Sequence, residues 1–245
     1  MDKSLRIVSI LLIAVFAVQL VLWNQTRHMK PRWFNVPPAP KVATSASLTL
    51  GDSQLAYRAY GVTFQNMGDQ GGDVTPLRDL DYGELSKWFD VMDHLDPKSS
   101  FVPMLVSYYY SATDNKQQLD YVIEYLRKIG LRDAADHKKW RWLVNAIFLA
   151  RHKQKDLDKA LALSYELSNL QNQGIELPSW AKNMPSFIKM EQGDKQGAYE
   201  MTIRLLQEGA EDMHPNEVNF MVDYLCTRIL SKEEASIHPL CQDTK

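Results

Sequence analysis

The sequence predicts an all-α protein in which a single N-terminal transmembrane helix is followed by a helical body. Three observations lead to this fold class. One strongly apolar run lies at residues 7–23, apolar residues recur at helical spacing from Leu48 onward, and no stretch alternates with the two-residue period of a strand. The 245 residues are 45% hydrophobic and 24% charged with a net charge of −2, which is typical of a globular protein rather than a disordered one.

Residues 1–6 form a short head, and residues 7–23 are predicted to be a transmembrane signal anchor. In this run of seventeen residues only Ser9 and Gln19 are polar. As a helix the run would be about 26 Å long, which suits a thin bilayer with Trp23 in the interfacial layer. The residues around Trp23 lack the small side chains of a cleavage site, so we expect the anchor to stay attached.

The charges on the two sides of the anchor are nearly balanced. Lys3 and Arg6 precede the apolar run, and Arg27, Lys30 and Arg32 follow it. A head of six residues usually stays in the cytoplasm, which favours a body on the opposite side of the membrane. A cytoplasmic body is the alternative.

Residues 24–47 are predicted to be a proline-rich linker. Pro37, Pro38 and Pro40 favour an extended, polyproline-like chain that would hold the body away from the membrane. Trp33 and Phe34 are expected to be aromatic residues of the membrane interface.

The helical body is predicted to span residues 48–231, followed by a C-terminal tail at residues 232–245. Asp81 and Glu84 have the spacing of a capping box at a helix start, and Pro178 and Pro215 suit first helical turns. The apolar spacing indicates about nine helices, at residues 52–67, 82–95, 101–112, 117–129, 138–151, 157–171, 178–191, 195–209 and 215–231.

The predicted helices are expected to pack as stacked hairpins, because the loops between them are short. Leu85, Leu119, Ala160 and Ala198 each lie early in the second helix of a pair, and successive members are 34, 41 and 38 residues apart. A period of this size is typical of helical repeat proteins.

Three stretches resemble tetratricopeptide repeats. "SKWFDVMDHLDPKS" is similar to the end of a repeat, "FIKMEQGDKQGAYEMTIRLLQEG" to its central turn followed by the small residue Ala198, and "RHKQKDLDKALALSYELSN" to the same turn with Ala160. The resemblance covers residues 82 to about 231 and is degenerate, since proline closes only the first repeat and bulky Phe148 occupies the place of a small residue. It implies a superhelix whose concave surface holds peptides or other proteins.

The stretch "FQNMGDQGGDVTPLRDLDYGELSKWFDVMDHLDP" is also similar to a group of uncharacterised, membrane-anchored proteobacterial proteins. This resemblance implies a membrane-anchored bacterial protein. Together with the orientation that the short head favours, we expect a bacterial inner-membrane protein with one transmembrane pass and a periplasmic body, the cytoplasmic body remaining the alternative. The resemblance implies no activity.

No combination of residues in the sequence predicts a catalytic, cofactor-binding or metal site. The six histidines are scattered, without a pair at ligand spacing. Ser186 and Lys189 match the Ser-x-x-Lys of penicillin-binding enzymes, but the companion motifs are absent and the tetrapeptide lies in a predicted repeat helix. We therefore expect no enzymatic activity, no cofactor and no small-molecule substrate.

The middle of the chain is basic and both ends of the body are acidic. Residues 127–159 contain ten Lys or Arg against four acidic residues. They could form a docking surface for an acidic partner or anionic headgroups, or they could be the solvent faces of two helices whose Trp140 and Trp142 are core residues. Nucleic acid is not an expected partner of an acidic protein outside the cytoplasm. The candidate interaction residues in this segment are Arg127, Lys128, Lys138, Lys139, Arg141, Arg151 and Lys153.

Two further groups of residues are candidates for a role. Tyr108, Tyr109 and Tyr110 point in three directions around a helix, so at least one ring should lie in a groove or interface. Cys226 and Cys241 could form a disulfide that fixes the tail, or they could be thiols. The apolar run at residues 143–150 is too short to cross a membrane and is expected to be buried.

These observations favour a membrane-tethered, tetratricopeptide-like adaptor or scaffold that binds other proteins, such as components of a membrane complex. One alternative is a structural accessory subunit of a large inner-membrane complex. Another is an enzyme of the cell envelope that acts on peptidoglycan.

Overall fold

A computed structural model describes residues 3–27, 35–70, 73–132 and 134–242. These residues form an all-helical protein, apart from a two-residue antiparallel ladder between β1 (Asp69–Gln70) and β2 (Asp73–Val74). The α-helices are α1 (Lys3–Thr26), α2 (Ser53–Gln65), α3 (Tyr82–Leu95), α4 (Phe101–Tyr108), α5 (Lys116–Arg132), α6 (Trp140–Phe148), α7 (Leu157–Asn169), α8 (Ser179–Lys182), α9 (Met184–Glu191), α10 (Lys195–Gly209), α11 (Pro215–Tyr224), α12 (Lys232–Ile237) and α13 (Pro239–Gln242).

The predicted all-α class is confirmed for the described residues, but the predicted number of about nine helices is too low. The predicted helix at residues 178–191 is divided at Asn183 into α8 and α9. Pro185 causes this break, because proline has no N–H to donate and its ring would collide with the preceding turn. The predicted tail contributes two further short helices, α12 and α13.

Helix α1 is long and apolar enough, over Ile7–Thr26, to cross a membrane. A signal sequence near an N-terminus has the same properties. The side chains from Ile7 to Arg27 are exposed and make no core with the rest of the protein. The helix continues three residues beyond the predicted span, and the Thr26 hydroxyl donates to the Leu22 carbonyl at 2.7 Å.

The described part of the predicted linker lies against α3 instead of extending away from the body. We call residues 35–46 the strap. Its Val36 side chain is buried, the Ala39 N–H donates to Glu84 at 2.7 Å, and the Trp88 indole N–H donates to the Pro37 carbonyl at 2.7 Å. Extended backbone leaves its N–H and C=O groups free, so the side chains of α3 bind them. Trp33 and Phe34 lie outside the described residues.

Glu84 has a different role from the one predicted. Asp81 caps α3 by accepting the Glu84 N–H at 3.0 Å, as expected. The Glu84 carboxylate, however, accepts from Lys87 and from the strap at Ala39, rather than from the Asp81 N–H. The predicted capping box is therefore only half present, because the strap offers a competing donor.

Helices α2 to α9 enclose one continuous hydrophobic core, which runs along the chain from Val36 to Ile188. Successive helices pack on one another through this core. Helices α5 and α6 are in close contact, since a side-chain carbon on Gly130 would lie 2.6 Å from the Leu143 backbone nitrogen. The absence of a side chain at Gly130 is what allows these two helices to touch.

Helices α10 to α13 have much smaller cores. One consists of Ala198, Leu225 and Ile229. A second contains Leu206 and Met221 together with Val222. This part of the chain packs on α9 through α10 and has a disulfide near its end, so its stabilisation differs from that of the part that precedes it.

Candidate functional site

Most of the predicted basic residues bind partners within the protein. The Arg127 guanidinium makes two hydrogen bonds to Glu166, at 2.6 and 2.8 Å, and a third to Glu124 at 3.0 Å. Lys128 binds Asp90 at 2.5 Å. Arg127 and Lys128 therefore join α5 to its neighbours on both sides.

The other cations of this segment are also engaged. Lys139 is buried, with its ammonium on the Pro97 carbonyl and 3.7 Å from Asp136. Arg151 pairs with Glu191, and Lys153 donates to the Ser111 carbonyl. These three residues therefore contact other elements of the protein, although Lys153 is also exposed.

Five ion pairs between different elements share one sequence separation of 38 to 40 residues. The basic middle of the chain thus neutralises acidic residues that precede and follow it by about 40 residues. Partly exposed pairs add little stability individually. The five pairs are Lys128–Asp90, Arg132–Asp93, Arg127–Glu166, Lys159–Asp120 and Arg151–Glu191.

Two predicted cations, Lys138 and Arg141, remain exposed at the start of α6. They line a cleft of about 810 Å³ that also contains Lys182. We call it the basic cleft. Its other lining residues are Trp140, Gln171, Glu176, Leu177, Pro178, Ser179, Trp180, Leu205, Gly209, Met213, His214 and Glu217.

The two tryptophans predicted as core residues are largely inside. Trp140 is buried and Trp142 is half-buried against the main core. The Trp140 ring lies 5.8 Å from that of Trp180, which is more exposed, and the Arg141 guanidinium lies 5.5 Å from the Trp140 ring centre. An aromatic floor with cations at its rim suits a ligand that is both apolar and anionic.

The three consecutive tyrosines separate as their helical positions require. Tyr110 is fully buried, its hydroxyl donates to the Phe64 carbonyl, and burial raises the pKa of its phenol. Tyr108 is 72% exposed and Tyr109 is 44% exposed. Tyr108 and Tyr109 are therefore available to a partner, and Tyr110 is a core residue.

A group of aromatic residues on α6, α9 and α11 that are exposed or half-buried was not predicted. We call Phe148, Phe187, Phe220 and Tyr224 the aromatic face. The Phe187 ring lies 4.8 Å from Tyr224 and 6.3 Å from Phe220. Phe148 lies about one turn before Arg151 and Phe187 one turn before Glu191, so the Arg151–Glu191 pair joins the helical turns next to these two rings.

The prediction that the run at residues 143–150 is buried is wrong for Phe148, whose side chain is 56% exposed. Its neighbours Ile147 and Leu149 are buried as predicted. The sequence signal that could have predicted this exposed position is spacing, because Phe148, Phe187 and Tyr224 are separated by 39 and 37 residues. Bulky residues repeating at the hairpin period can mark a shared outer face as well as a core.

The Ser-x-x-Lys match makes structural contacts. The buried Ser186 hydroxyl donates to the Ala198 carbonyl at 3.0 Å and also contacts Thr202. Lys189 donates to Asp194, and this hydrogen bond raises the pKa of the ammonium. A lysine that acts as a general base needs a lowered pKa, so this arrangement does not activate Ser186. Among the described residues there is no group of three or more side chains arranged to hold a metal ion.

Cys226 and Cys241 are joined by a disulfide, which ties α13 to the segment following α11. The same region is held by the capping box of Ser231 and Glu234 at the start of α12. Tyr199 and His238 add a contact of 3.3 Å. The predicted tail is thus folded back onto the body.

No family model, curated protein or solved structure matches the chain. The interaction surfaces described above therefore stand on the geometry of this protein alone.

Proposed function

We propose that this protein is a single-pass, tetratricopeptide-like adaptor that recruits or assembles other proteins at the bacterial inner membrane, without catalysis of its own. The observation that carries this proposal is the aromatic face. Phe148 and Phe220 are each about half exposed, although large aromatic side chains in a monomer are usually covered. Aromatic residues are enriched at protein interfaces because they bury a large area at little entropic cost.

The repeat-like organisation is supported by the ion pairs between hairpins. Their separation of 38 to 40 residues is close to the spacing of Leu119, Ala160 and Ala198. Stacked hairpins would place equivalent residues of successive units on one surface, so the spacing of Phe148, Phe187 and Tyr224 supports this organisation.

The tether supports an adaptor role by restricting where the body can act. Helix α1 can span a membrane, and the strap fixes the chain that follows it on α3. Only residues 28–34 separate α1 and Arg27 from the strap, so an extended chain keeps the body within roughly 25 Å of the anchor's end. Such confinement raises the local concentration of partners in the same membrane.

A periplasmic body is supported by the short head and by the disulfide, because disulfides persist in oxidising compartments. Adding protease to spheroplasts tests this placement. A periplasmic body will be cleaved with the membrane intact, whereas a cytoplasmic body will be cleaved only after lysis.

The test of the adaptor role is extraction of the full-length protein from native membranes in a mild detergent, followed by identification of the co-purifying proteins. We expect a defined set of companions that is lost when Phe148→Ala and Phe220→Ala are combined. The matched control combines Tyr121→Ala and Tyr165→Ala, which remove similarly exposed rings from the second helices α5 and α7.

Recovery of the protein alone, even after gentle cross-linking, would contradict the adaptor proposal. Equal loss of companions in both double variants would contradict the role of the aromatic face. Co-purifying proteins that stay bound at fixed stoichiometry through a high-salt wash would favour the structural-subunit alternative. The partners of an adaptor are expected to dissociate in such a wash.

A further inference from the structure

The basic cleft lies where the ends of several helices meet. The starts of α6, α8 and α11 and the end of α10 surround it. Its apolar floor includes Trp180, which is 38% exposed, together with the buried Leu177 and the half-buried Leu205. A volume of about 810 Å³ is within the range of sites that take small ligands or short peptide segments.

The charge of the cleft distinguishes it from the other basic residues. Lys138, Arg141 and Lys182 have no carboxylate within 4 Å among the described residues, whereas Arg127, Lys128 and Arg151 are ion-paired. Of the two carboxylates that line the cleft, Glu217 already accepts from the Ser179 hydroxyl at 2.7 Å. Three unpaired cations therefore face one uncommitted carboxylate, that of Glu176.

The backbone at the mouth of the cleft is also unusual. Lys138 has a φ of 58°, in the left-handed region that residues with a side chain rarely adopt. Backbone strain of this kind is often found at binding and active sites. The strained residue here, Lys138, is one of the three unpaired cations.

We propose that the basic cleft binds an acidic segment of a partner protein, with the carboxylates of the segment on Lys138, Arg141 and Lys182 and an apolar side chain against Trp180. This inference rests on the proposed adaptor function and names a second contact for the partner. The lone positive charges supply the complementarity, and the tryptophan floor supplies the apolar contact.

A peptide fits this site better than a polyanion or a membrane. Glu176 and Glu217 line the same cleft and would repel a continuous run of phosphates. The strap brings the membrane-attached chain to α3, whereas the cleft begins at α6 and reaches α11. An anionic side chain flanked by uncharged backbone matches this mixture of charges.

The test uses two fluorescein-labelled octapeptides and the full-length protein in a mild detergent. In one peptide Glu alternates with Phe, and in the other Gln replaces every Glu. Fluorescence anisotropy should show that the acidic peptide binds at least about tenfold more tightly, and that only its affinity falls steeply with added salt.

The variants assign the binding to the cleft. Lys138→Glu combined with Arg141→Glu should weaken the acidic peptide by roughly tenfold or more, and Trp180→Ala should weaken both peptides. The control combines Arg58→Glu with Lys98→Glu, which reverses two exposed charges outside the cleft and should leave binding unchanged. Circular dichroism checks that each variant is folded. The salt dependence of peptide binding is measured on the unmodified protein, so it tests the inference even if a variant fails to fold.

Equal affinity for the two peptides, no binding of either, or unchanged binding after reversal of Lys138 and Arg141 would each overturn this inference. Co-purifying partners would still be present in all three cases if the adaptor function is correct. Purification of the unmodified protein without any partner would instead contradict the proposed adaptor function itself. The failure of the cleft inference and the failure of the adaptor function are therefore distinguishable.

Discussion

The part of the body from α2 to α9 and the part from α10 to α13 use similar helices but are stabilised differently. The first part has one continuous core and ion pairs between its helices. The second has two cores of three buried residues each, and a disulfide and a capping box at its end. Small cores bury too little apolar surface to order a chain strongly, so covalent and local contacts contribute more where the core is small.

The largest effect should come from removing a core leucine. Leu126 and Leu225 are both fully buried, in the large core and in a small one. We expect Leu126→Ala to reduce the free energy of unfolding of the part from α2 to α9 by about 2–5 kcal/mol, because it leaves a cavity in the core that these helices share. Leu225→Ala should instead destabilise α10 to α13 alone.

Hydrogen exchange followed by mass spectrometry separates these two outcomes. Leu126→Ala should speed exchange throughout α2 to α9, and Leu225→Ala only beyond Lys195. Uniform exchange in the Leu225 variant would show that the two parts unfold together, which would contradict the comparison.

The second effect concerns the disulfide. Replacing Cys226 and Cys241 by Ser should cost the C-terminal part roughly 3 kcal/mol, the value expected for a closed loop of about 15 residues. Limited proteolysis should then cut near α12 and α13, while α2 to α9 stay resistant. Unchanged proteolysis would mean that the capping box at Ser231 and Glu234 suffices to hold this end.

A smaller effect is expected at the close contact of α5 and α6. Gly130→Ala places a methyl group against the Leu143 backbone, so the two helices must move apart, at a cost of about 1–3 kcal/mol. Thermal unfolding measures the loss. The control is Ala162→Gly, an exposed site in α7 where the substitution changes only the helix propensity. Gly174→Ala cannot serve as the control, because the φ of 80° at Gly174 would itself be strained by a side chain.

The smallest effect is the pH dependence of the strap. Hydrogen bonds from Lys87 and then from the Ala39 N–H lower the pKa of Glu84 below its ordinary value of 4.5. A lowered folded-state pKa means that the stabilisation is complete above pH 4.5 and is lost as the pH falls through the lowered value. Because Glu84 is near the surface, the contribution is at most about 1 kcal/mol.

Amide exchange at Ala39, corrected for the intrinsic effect of pH, reports this contact directly. Protection of Ala39 should fall on acidification and in Glu84→Ala at neutral pH. The Thr44 amide, which donates to the Lys41 carbonyl at 2.9 Å, is the internal control. Equal protection of Ala39 in Glu84→Ala would show that Val36 and Trp88 alone hold the strap.

Much of the fold was predictable because helices are encoded locally. The spacing of Leu85, Trp88, Phe89 and Met92 predicts the buried side of α3, and the structure buries all four residues. The caps were predictable for the same reason, since Asp81 accepts an N–H only three residues away. Pro185 was also a local signal for a helix break. The apolar pattern on both sides of Pro185, however, predicted one continuous helix at residues 178–191.

The candidate site was less predictable, because exposure depends on what each helix packs against. The charge pattern identified a basic segment but did not indicate that Arg127 and Lys128 would be paired about 38 residues away. Phe148 and Ile147 are adjacent and both apolar, yet only Ile147 faces the core. The basic cleft combines Lys138, Lys182 and Met213 from distant parts of the chain, and nothing local links them.

By itself, the sequence determined an apolar N-terminal helix and a body of helices with largely correct ends, because hydrogen bonding and side-chain periodicity act over three or four residues. The tertiary structure alone decided that the strap lies on α3, that the basic segment is mostly neutralised, and that an aromatic face and a basic cleft remain open. Those features depend on contacts about 40 residues apart, where the geometry of packing, rather than local preference, selects which side chains meet.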